Sequence, residues 1–209
     1  WLSRSLPFAT SDRGKAFIRR EHISVLAAAQ RCIIVAIRAP FAKFDALALH
    51  APNSWGESDV AAAIAFWDDL SVVVASRPTP HFPVVLLGDI NAQLAHIGTP
   101  HVGERAPVVQ TSVGYRVLDF AQRFDLFFPS TFHRLHAGQD KTWQDTQGHK
   151  SRIDYIGLPL DWLSGTRDST VATDIDLVAK TPDHYVPSVS VHLATSGVST
   201  WLARRTTVF

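Results

Sequence analysis

The sequence lacks methionine altogether, and it contains a single cysteine, Cys32. Because the chain has no start residue, we expect it to be part of a longer reading frame. One cysteine cannot form a disulfide within the chain, so a disulfide-stapled fold is excluded. Cys32 opens the apolar run 32–37, which predicts a buried structural thiol rather than a nucleophile.

The sequence also lacks excess charge and long apolar runs. The formal net charge is +1, so affinity for phosphates must come from a local cluster or a metal rather than from a polycationic surface. No apolar stretch approaches the roughly 20 residues of a membrane span, and residues 1–4 show no secretory signal. A chain of 209 residues that is 46% hydrophobic is expected to fold as one globular domain without a membrane partner.

Apolar runs separated by turns predict more strands than helices. The predicted strands share short apolar or alternating patterns, and they are 32–37, 44–50, 84–87, 126–128, 141–143, 152–156, 171–178 and 186–192. Helices are predicted from the N-cap Ser58 onward and around 115–124. The alternation in the second half favours a layered α/β sandwich over a parallel, Rossmann-like sheet. We assign residues 1–193 to the domain and 194–209 to a C-terminal linker or tail.

Three short segments carry side chains suited to catalysis. Gly88-Asp89-Ile90-Asn91 follows a buried strand, Arg152-Ile153-Asp154-Tyr155 lies in a later one, and Thr181-Pro182-Asp183-His184 comes last. Strand ends are where a sheet presents functional groups to a cleft. Each segment alone also fits a structural role, such as an Asx turn at Asp89 or a surface ion pair of Arg152. These structural roles do not explain the order in which the three segments occur.

Taken together and in this order, the segments resemble the endonuclease/exonuclease/phosphatase superfamily. Its members include DNase I, the abasic-site endonucleases and the endonuclease domains of LINE-type retrotransposons. The resemblance implies an α/β fold, a four-layer sandwich of two mostly antiparallel β-sheets flanked by helices, with the active cleft at one end. It also implies phosphodiester hydrolysis with Mg²⁺, or Mn²⁺ as the alternative, and DNA as a partner recognised through its phosphate backbone.

The resemblance assigns site residues position by position. Asp89 and Asn91 match the Gly-Asp-x-Asn segment that positions the attacking water and the phosphate, and Asp89 is also a candidate metal ligand. Asp154 matches the aspartate that hydrogen-bonds the histidine of the Asp-His pair. His184 matches that histidine, which contacts the scissile phosphate, and Asp183 matches the metal-associated carboxylate. The division of general-base and general-acid roles between Asp89 and His184 stays open.

Two further segments match the superfamily less closely. His50 stands where a tyrosine is common, and we predict it to be catalytic because a protonated imidazole donates to phosphate oxygens. Asn53, three residues later, is predicted either to bind substrate or to form a turn. Thr142-Trp143 resembles a Thr-aromatic pair that supports the substrate loop. Trp143 is predicted to stack on a substrate base or, alternatively, to fill the core.

One part of the superfamily pattern is missing. The superfamily places an Asn and a metal-binding Glu on two strands near its N-terminus. Asn53 and Asn91, the asparagines of this sequence, already match other segments, and Glu21 is a poor substitute because no apolar strand precedes it. We therefore expect the first strands to be missing from this chain, which would weaken a Mg²⁺ site. A domain truncated in this way is predicted to be a weak or inactive nuclease.

The amino-acid sequences of these segments are most similar to those of retrotransposon-type endonuclease domains. That subfamily implies a reverse transcriptase domain in the same full-length polypeptide, a monomeric endonuclease domain, and an intracellular, nuclear location. Two other functions remain open. One is a non-catalytic remnant that binds nucleic acid or a protein partner, and the other is a phosphatase acting on inositol phosphates or lipids.

Overall fold

A six-stranded sheet forms the centre of the fold. The structure, a computed structural model, describes residues 9–11, 14–54, 56–107, 110–173, 183–193 and 204–208. The strands in these residues are, in chain order, β1 (Ala9–Ser11), β2 (Gly14–Ala16), β3 (Ile23–Ala29), β4 (Cys32–Ala39), β5 (Ala42–His50), β6 (Val84–Asp89), β7 (Leu126–Phe127), β8 (Trp143–Gln144), β9 (Lys150–Ser151), β10 (Asp154–Pro159), β11 (Thr166–Ala172), β12 (Val186–Leu193) and β13 (Arg204–Val208). The α-helices are α1 (Glu57–Ala75) and α2 (Ser112–Arg123), and short 3-10 helices span Arg20–His22, Pro129–Thr131 and Leu160–Trp162.

The strand order of the large sheet brings three strand ends together. The order is β3-β4-β5-β6-β10-β7, and every neighbouring pair is antiparallel except β5 and β6. Parallel neighbours need a crossover connection, and α1 supplies it here. As a result β5 and β6 end at the same edge of the sheet, and β10 begins there.

A three-stranded sheet packs against one face of the large sheet. Its order is β11-β12-β13, and both of its pairs are antiparallel. Val189 and Val191 of β12 share a buried apolar cluster with Val85 of β6 and with Ile156 and Leu158 of β10. The predicted sandwich of two mostly antiparallel sheets is therefore confirmed. Two hairpins, β1–β2 and β8–β9, complete the described strands.

Both α-helices pack on the other face of the large sheet. Trp67 of α1 and Phe120 of α2 are almost fully buried there and meet edge to face, with ring centroids 5.3 Å apart. Helix α1 begins at Glu57 after the N-cap Gly56, so the prediction of Ser58 as N-cap is wrong. The N–H of Gly56 donates to the Asp59 carboxylate at 3.3 Å, which caps the first turn. Neither described helix combines the length and apolarity needed to cross a bilayer.

Three predicted segments differ from the structure or fall outside it. The predicted strand 152–156 starts two residues too early, because residues 152 and 153 lie between the end of β9 at residue 151 and the start of β10 at residue 154. Of the predicted strand 171–178, residues 174–178 lie outside the described residues. Of the predicted linker or tail 194–209, the structure describes 204–208, which form β13 and pair with β12.

Candidate active site

Three neighbouring strands each place one titratable side chain at the shared edge of the large sheet. The parallel register of β5 and β6 pairs His50 with Asp89, and the antiparallel register of β6 and β10 pairs Asp89 with Asp154. Side chains of directly paired residues point to the same face of a sheet. His50, Asp89 and Asp154 therefore form a row across three strands, which we call the acidic row.

Gly88 allows this row to form. A Cβ atom on Gly88 would lie 2.0 Å from the carbonyl oxygen of Leu49 in β5, so a side chain here would collide with the neighbouring backbone. The glycine thus permits the two parallel strands to approach closely just before Asp89. This explains why the residue before the aspartate must be small, independently of any catalytic role.

The segment after Asp89 forms a tight turn that holds Asn91. The Asn91 N–H donates to Oδ1 of Asp89 at 2.9 Å, and its side-chain amide donates to the carbonyl of Ala51 at 2.8 Å. Asn91 has φ of 46°, a left-handed conformation that asparagine tolerates better than most residues. The Asx turn that the sequence suggested is therefore present, and it uses one oxygen of Asp89. The other oxygen, Oδ2, lies 3.7 Å from Nε2 of His50.

His184 joins the row through Asp154. Its Nδ1 lies 3.0 Å from Oδ2 and 3.2 Å from Oδ1 of Asp154. An ionised carboxylate can only accept, so this contact places the proton of the imidazole on Nδ1. The Asp154–His184 pair that the resemblance implied is thus formed. Nε2 of His184 then acts as an acceptor in the neutral ring and as a donor when the ring is protonated.

Burial makes the two carboxylates of the row unusually basic. The Asp89 side chain is 12% exposed, whereas that of His50 is 68% exposed. Burial, followed by the nearby charge of Asp154, raises the pKa of Asp89 to about 6, although the Asn91 N–H and both histidines oppose the shift. Burial also raises the pKa of Asp154, against the opposing effects of His184 and the Thr142 hydroxyl. Both groups would therefore gain from a bound cation.

The row could hold a metal ion. One ligand atom from each of Asp89, Asp154 and His184 lies within 4.8 Å of the other two, and no second group of this kind occurs in the parts of the chain that the structure describes. Carboxylate oxygens are the ligands that hard divalent cations prefer, whereas imidazole suits transition metals better. Because His184 already contacts Asp154, the carboxylate oxygens are the donors that fit such an ion.

Two further predicted site residues, Asp183 and Asn53, belong neither to the row nor to the group of candidate metal ligands. Asp183 is exposed and is not part of the group of candidate ligands, and its carbonyl accepts from the N–H of Gln144 at 2.8 Å. Asn53 is exposed on the loop that follows β5. The metal role of Asp183 and the substrate role of Asn53 stay predictions, and residues 181–182 before Asp183 lie outside the described residues.

Trp143 faces a cleft beside the row. It is half-buried in β8, so it does not fill the core as the structural alternative required. The cleft has a volume of about 190 Å³, and its lining combines polar and apolar side chains from five segments: Ser54, Asn91, Ala92, Gln93, Thr111, Trp143, Ser151 and Ile153. Asn91 connects the cleft to Asp89, which lies two residues earlier in the chain. Stacking of Trp143 on a base stays a prediction.

Two residues near the row, Arg31 and Thr142, were not among the predicted catalytic, metal-binding or substrate-binding residues. Arg31 lies in the β3–β4 turn, is exposed, and its Nη1 donates to the carbonyl of His50 at 3.5 Å. The signal that could have revealed it is the hairpin register, because pairing of Cys32 with Leu49 puts residue 31 opposite residue 50.

Thr142 is buried, and its hydroxyl accepts from the N–H of Asp154 at 2.9 Å. The sequence indicated Thr142 only as part of the Thr142-Trp143 pair, and its contact with Asp154 was not predictable because the two residues are 12 positions apart.

Arg152 has a structural role. It is 3% exposed, its Nη2 lies 2.9 Å from the Asp140 carboxylate, and its Nε donates to the Asp140 carbonyl at 2.9 Å. The ion pair considered from the sequence is therefore formed with Asp140, and its arginine is buried whereas the Asp140 side chain is 36% exposed. Arg105 binds the same carboxylate at 2.6 Å, so the two arginines tie the loop around Asp140 to the chain just before Asp154.

Comparisons with known proteins identify the fold. No protein-family model matches the sequence, and no curated protein matches it. Solved structures match it with low sequence identity. The 3′ phosphatase NExo from Neisseria, bound to a product DNA hairpin, has a TM-score of 0.59 and 15% identity, over 82% of this chain and 70% of that one. An AP endonuclease from Archaeoglobus fulgidus has a TM-score of 0.55 and 14% identity, over 90% and 83% of the two chains.

A third similar structure is the endonuclease domain of TRAS1, a telomere-specific non-LTR retrotransposon. Its TM-score is 0.50 and its identity is 14%, over 86% of this chain and 74% of that one. At identities this low, the likeness establishes the shared fold, and function has to be argued from the site.

Proposed function

We propose that this chain, which has the DNase I-like fold of the endonuclease/exonuclease/phosphatase proteins, is a metal-dependent phosphodiester hydrolase that nicks DNA. The observation that carries the proposal is the acidic row with His184 attached to it. A buried carboxylate whose pKa is raised to about 6, beside an imidazole oriented by a second carboxylate, is suited to proton transfer near neutral pH.

Each residue of the row, together with Asn91 and His184, has a role that its contacts permit. Asp89 orients or deprotonates the attacking water, and Asn91 steadies a phosphate oxygen with its amide. Asp154 holds His184 so that Nε2 can stabilise charge on the phosphoryl oxygens. His50 flanks Asp89 on its exposed side and donates to the phosphate when protonated.

A divalent cation completes the chemistry. Bound Mg²⁺ supplies Lewis-acid stabilisation of the phosphoryl and leaving oxygens. Asp89 is the carboxylate that we assign to it in the row, and Asp183 is the second carboxylate suggested by the resemblance. Both residues offer the oxygen ligands that Mg²⁺ prefers.

We further propose that the domain belongs to a retroelement-type protein and cuts weakly as the chain stands. The likeness to the TRAS1 endonuclease domain is compatible with this origin. The amino-acid sequence of the segment that begins at His50 favours it. The proposal is supported by Glu21, which is exposed in a 3-10 turn, has its Oε1 3.8 Å from Nη1 of Arg19, and is not part of the group of candidate metal ligands. The nuclear location, the reverse transcriptase partner and the monomeric state belong to the same proposal.

A plasmid-nicking assay tests the function. The chain is incubated with supercoiled plasmid and Mg²⁺ or EDTA, both alone and extended upstream along its reading frame. We expect Mg²⁺-dependent nicking that is stronger with the extension and lost in Asp89→Ala and His184→Ala. The matched control is His81→Ala, because His81 is exposed in the loop before β6, at the opposite end of that strand from Asp89. Nicking that persists in both site variants would overturn the assignment.

The same preparations separate the alternative functions. Release of phosphate from inositol polyphosphates without plasmid nicking would favour the phosphatase. Binding of DNA without hydrolysis of either substrate, in the extended chain with Mg²⁺, would favour the non-catalytic remnant.

A further inference from the structure

A short segment lies between the two parts of the chain that form the Asp154–His184 pair. Residues 142–144 are flanked on one side by 150–154, through the pairing of β8 with β9. On the other side they contact 183–185, where the Tyr185 N–H donates to the carbonyl of Thr142 at 2.7 Å. The distance between Asp154 and His184 therefore depends on the position of residues 142–144.

The Thr142 side chain makes contacts that a backbone alone cannot make. Its hydroxyl oxygen accepts from two consecutive N–H groups, that of Ile153 at 3.1 Å and that of Asp154 at 2.9 Å. Thr142 is 1% exposed, so water does not compete for these donors.

The two contacts also explain a local break in the sheet. Successive N–H groups of an extended strand point in opposite directions, so two of them can reach one oxygen only where the chain bends. This is where β9 has ended and β10 begins, at residues 151 and 154. The bend coincides with the residue whose carboxylate contacts His184.

We propose that Thr142 is the positioning residue of the candidate active site, a role that rests on the proposed function. Its hydroxyl fixes the bend that presents Asp154, and its carbonyl fixes the backbone of Tyr185 next to His184. The two partners of the pair are thus held from one residue that is within hydrogen-bond reach of both segments. Neither the row nor the candidate metal ligands include Thr142.

Replacing the hydroxyl separates this role from simple packing. Thr142→Val keeps the branched shape but leaves two buried N–H groups without their acceptor, so the bend relaxes and Asp154 moves relative to His184. Thr142→Ser keeps the acceptor. The matched control is Thr131→Val, because Thr131 is 0% exposed and its hydroxyl accepts from the Gly103 N–H at 2.8 Å.

Three measurements on the full chain test the proposal. Hydrogen exchange is followed at the amides of residues 153 and 154, ¹⁵N NMR shifts of the His184 ring are recorded at one pH, and nicking kinetics are measured. We expect Thr142→Val to speed exchange of the two amides at least tenfold and to shift the His184 Nδ1 signal. We also expect kcat to fall by about 10- to 100-fold with little change in KM. Thr142→Ser should restore all three values, and Thr131→Val should leave the His184 signal and kcat unchanged.

The outcomes distinguish this inference from the proposed function. If the chain proves inactive on every substrate, the exchange rates and the His184 signal still test whether Thr142 holds the pair. An unchanged His184 signal in Thr142→Val would overturn the positioning role even if nicking is confirmed. Equal loss of kcat in Thr142→Val and Thr131→Val would do the same, because both changes would then act through general destabilisation.

Discussion

At the scale of single residues, Asp89 lies at the centre of the acidic row, between His50 and Asp154. Its carboxylate accepts a hydrogen bond from the Asn91 N–H and lies 3.7 Å from Nε2 of His50 in β5. On the other side, Asp89 is paired with Asp154 of β10. Its side chain is nonetheless largely buried, which disfavours the charged form. The arrangement that suits catalysis or metal binding therefore costs stability while the site has no cation.

The raised pKa of Asp89 predicts a pH-dependent cost. Its folded pKa of about 6 exceeds the ordinary value of 3.8, so the associated stability is present below pH 3.8 and is lost as the pH rises through 6. At pH 8 without metal we expect Asp89→Asn to be about 2–3 kcal/mol more stable than the wild type, and this advantage should vanish near pH 4. Urea denaturation at both pH values measures the difference.

Addition of Mg²⁺ provides a second measurement on the same variant. The ion should raise the melting temperature of the wild type more than that of Asp89→Asn, because in the proposed site the Asp89 carboxylate of the folded chain is a ligand. Asp69→Asn, an exposed helix position, serves as the control and should not change stability in a pH-dependent way. If Asp89→Asn is no more stable than the wild type at pH 8, burial of the ionised Asp89 carboxylate does not lower the free energy of unfolding as inferred.

At the scale of elements, the parallel pair of β5 and β6 determines whether the row exists. The two strands align His50 with Asp89 only while their backbones stay close at Gly88. The crossover through α1 fixes their direction but not this closeness. The approach of the two strands is therefore a property of one glycine and of the carbonyl opposite it.

Gly88→Ala should damage the sheet and the site together. A Cβ that lies 2.0 Å from the Leu49 carbonyl oxygen forces the backbones apart, and we expect a loss of about 3 kcal/mol in unfolding free energy or a failure to fold. Gly98→Ala is the matched control, because Gly98 has φ of 75° but no atom within 4 Å of the added Cβ. Its cost should stay near 1 kcal/mol. Equal losses in the two variants would contradict the steric argument.

At the scale of the whole molecule, the net charge is close to zero, so affinity for a polyanion depends on the cationic groups at the binding site. A net charge of +1 gives no general attraction for nucleic acid, so each cationic side chain near the row should contribute measurably to the affinity for nucleic acid. Arg31 is such a cation, because it is exposed beside His50 at the end of β5. A DNA strand crossing the row would bring a neighbouring phosphate within its reach.

Arg31→Ala should weaken DNA binding in a salt-dependent manner. Loss of one phosphate contact is expected to reduce the slope of log K against log salt by about 1 in magnitude. Fluorescence anisotropy with a short duplex, in metal-free buffer at several salt concentrations, measures the slope. Arg116→Ala is the control, since Arg116 lies on α2 and contacts Asp68 and Asp119. Equal slopes in Arg31→Ala and the wild type would show that Arg31 makes no phosphate contact.

Much of the fold and part of the site were predictable from local patterns. The apolar run before Asp89 predicted a buried strand that ends at the site, and the resemblance of the three segments to the superfamily implied that Asp154 and His184 would meet. Helix α1 was predicted from its apolar periodicity, but its N-cap was misplaced at Ser58 because the Asp59 side chain can cap the preceding residue instead. Caps depend on side-chain geometry that adjacent letters do not specify.

The sequence by itself determined the fold class, the pairing of Asp154 with His184 and the position of Asp89 at a strand end. The strand end and the layered α/β class follow from apolar patterns that can be read along the chain, whereas the Asp154–His184 pair was implied by the resemblance of the three segments to the superfamily. Only the tertiary structure decided that His50 lies beside Asp89, that Arg31 lies beside His50, and that Thr142 supports the bend at Asp154. The physical reason is strand register, because a shift of one residue turns every side chain of a strand to the opposite face, and register is set by packing between distant segments.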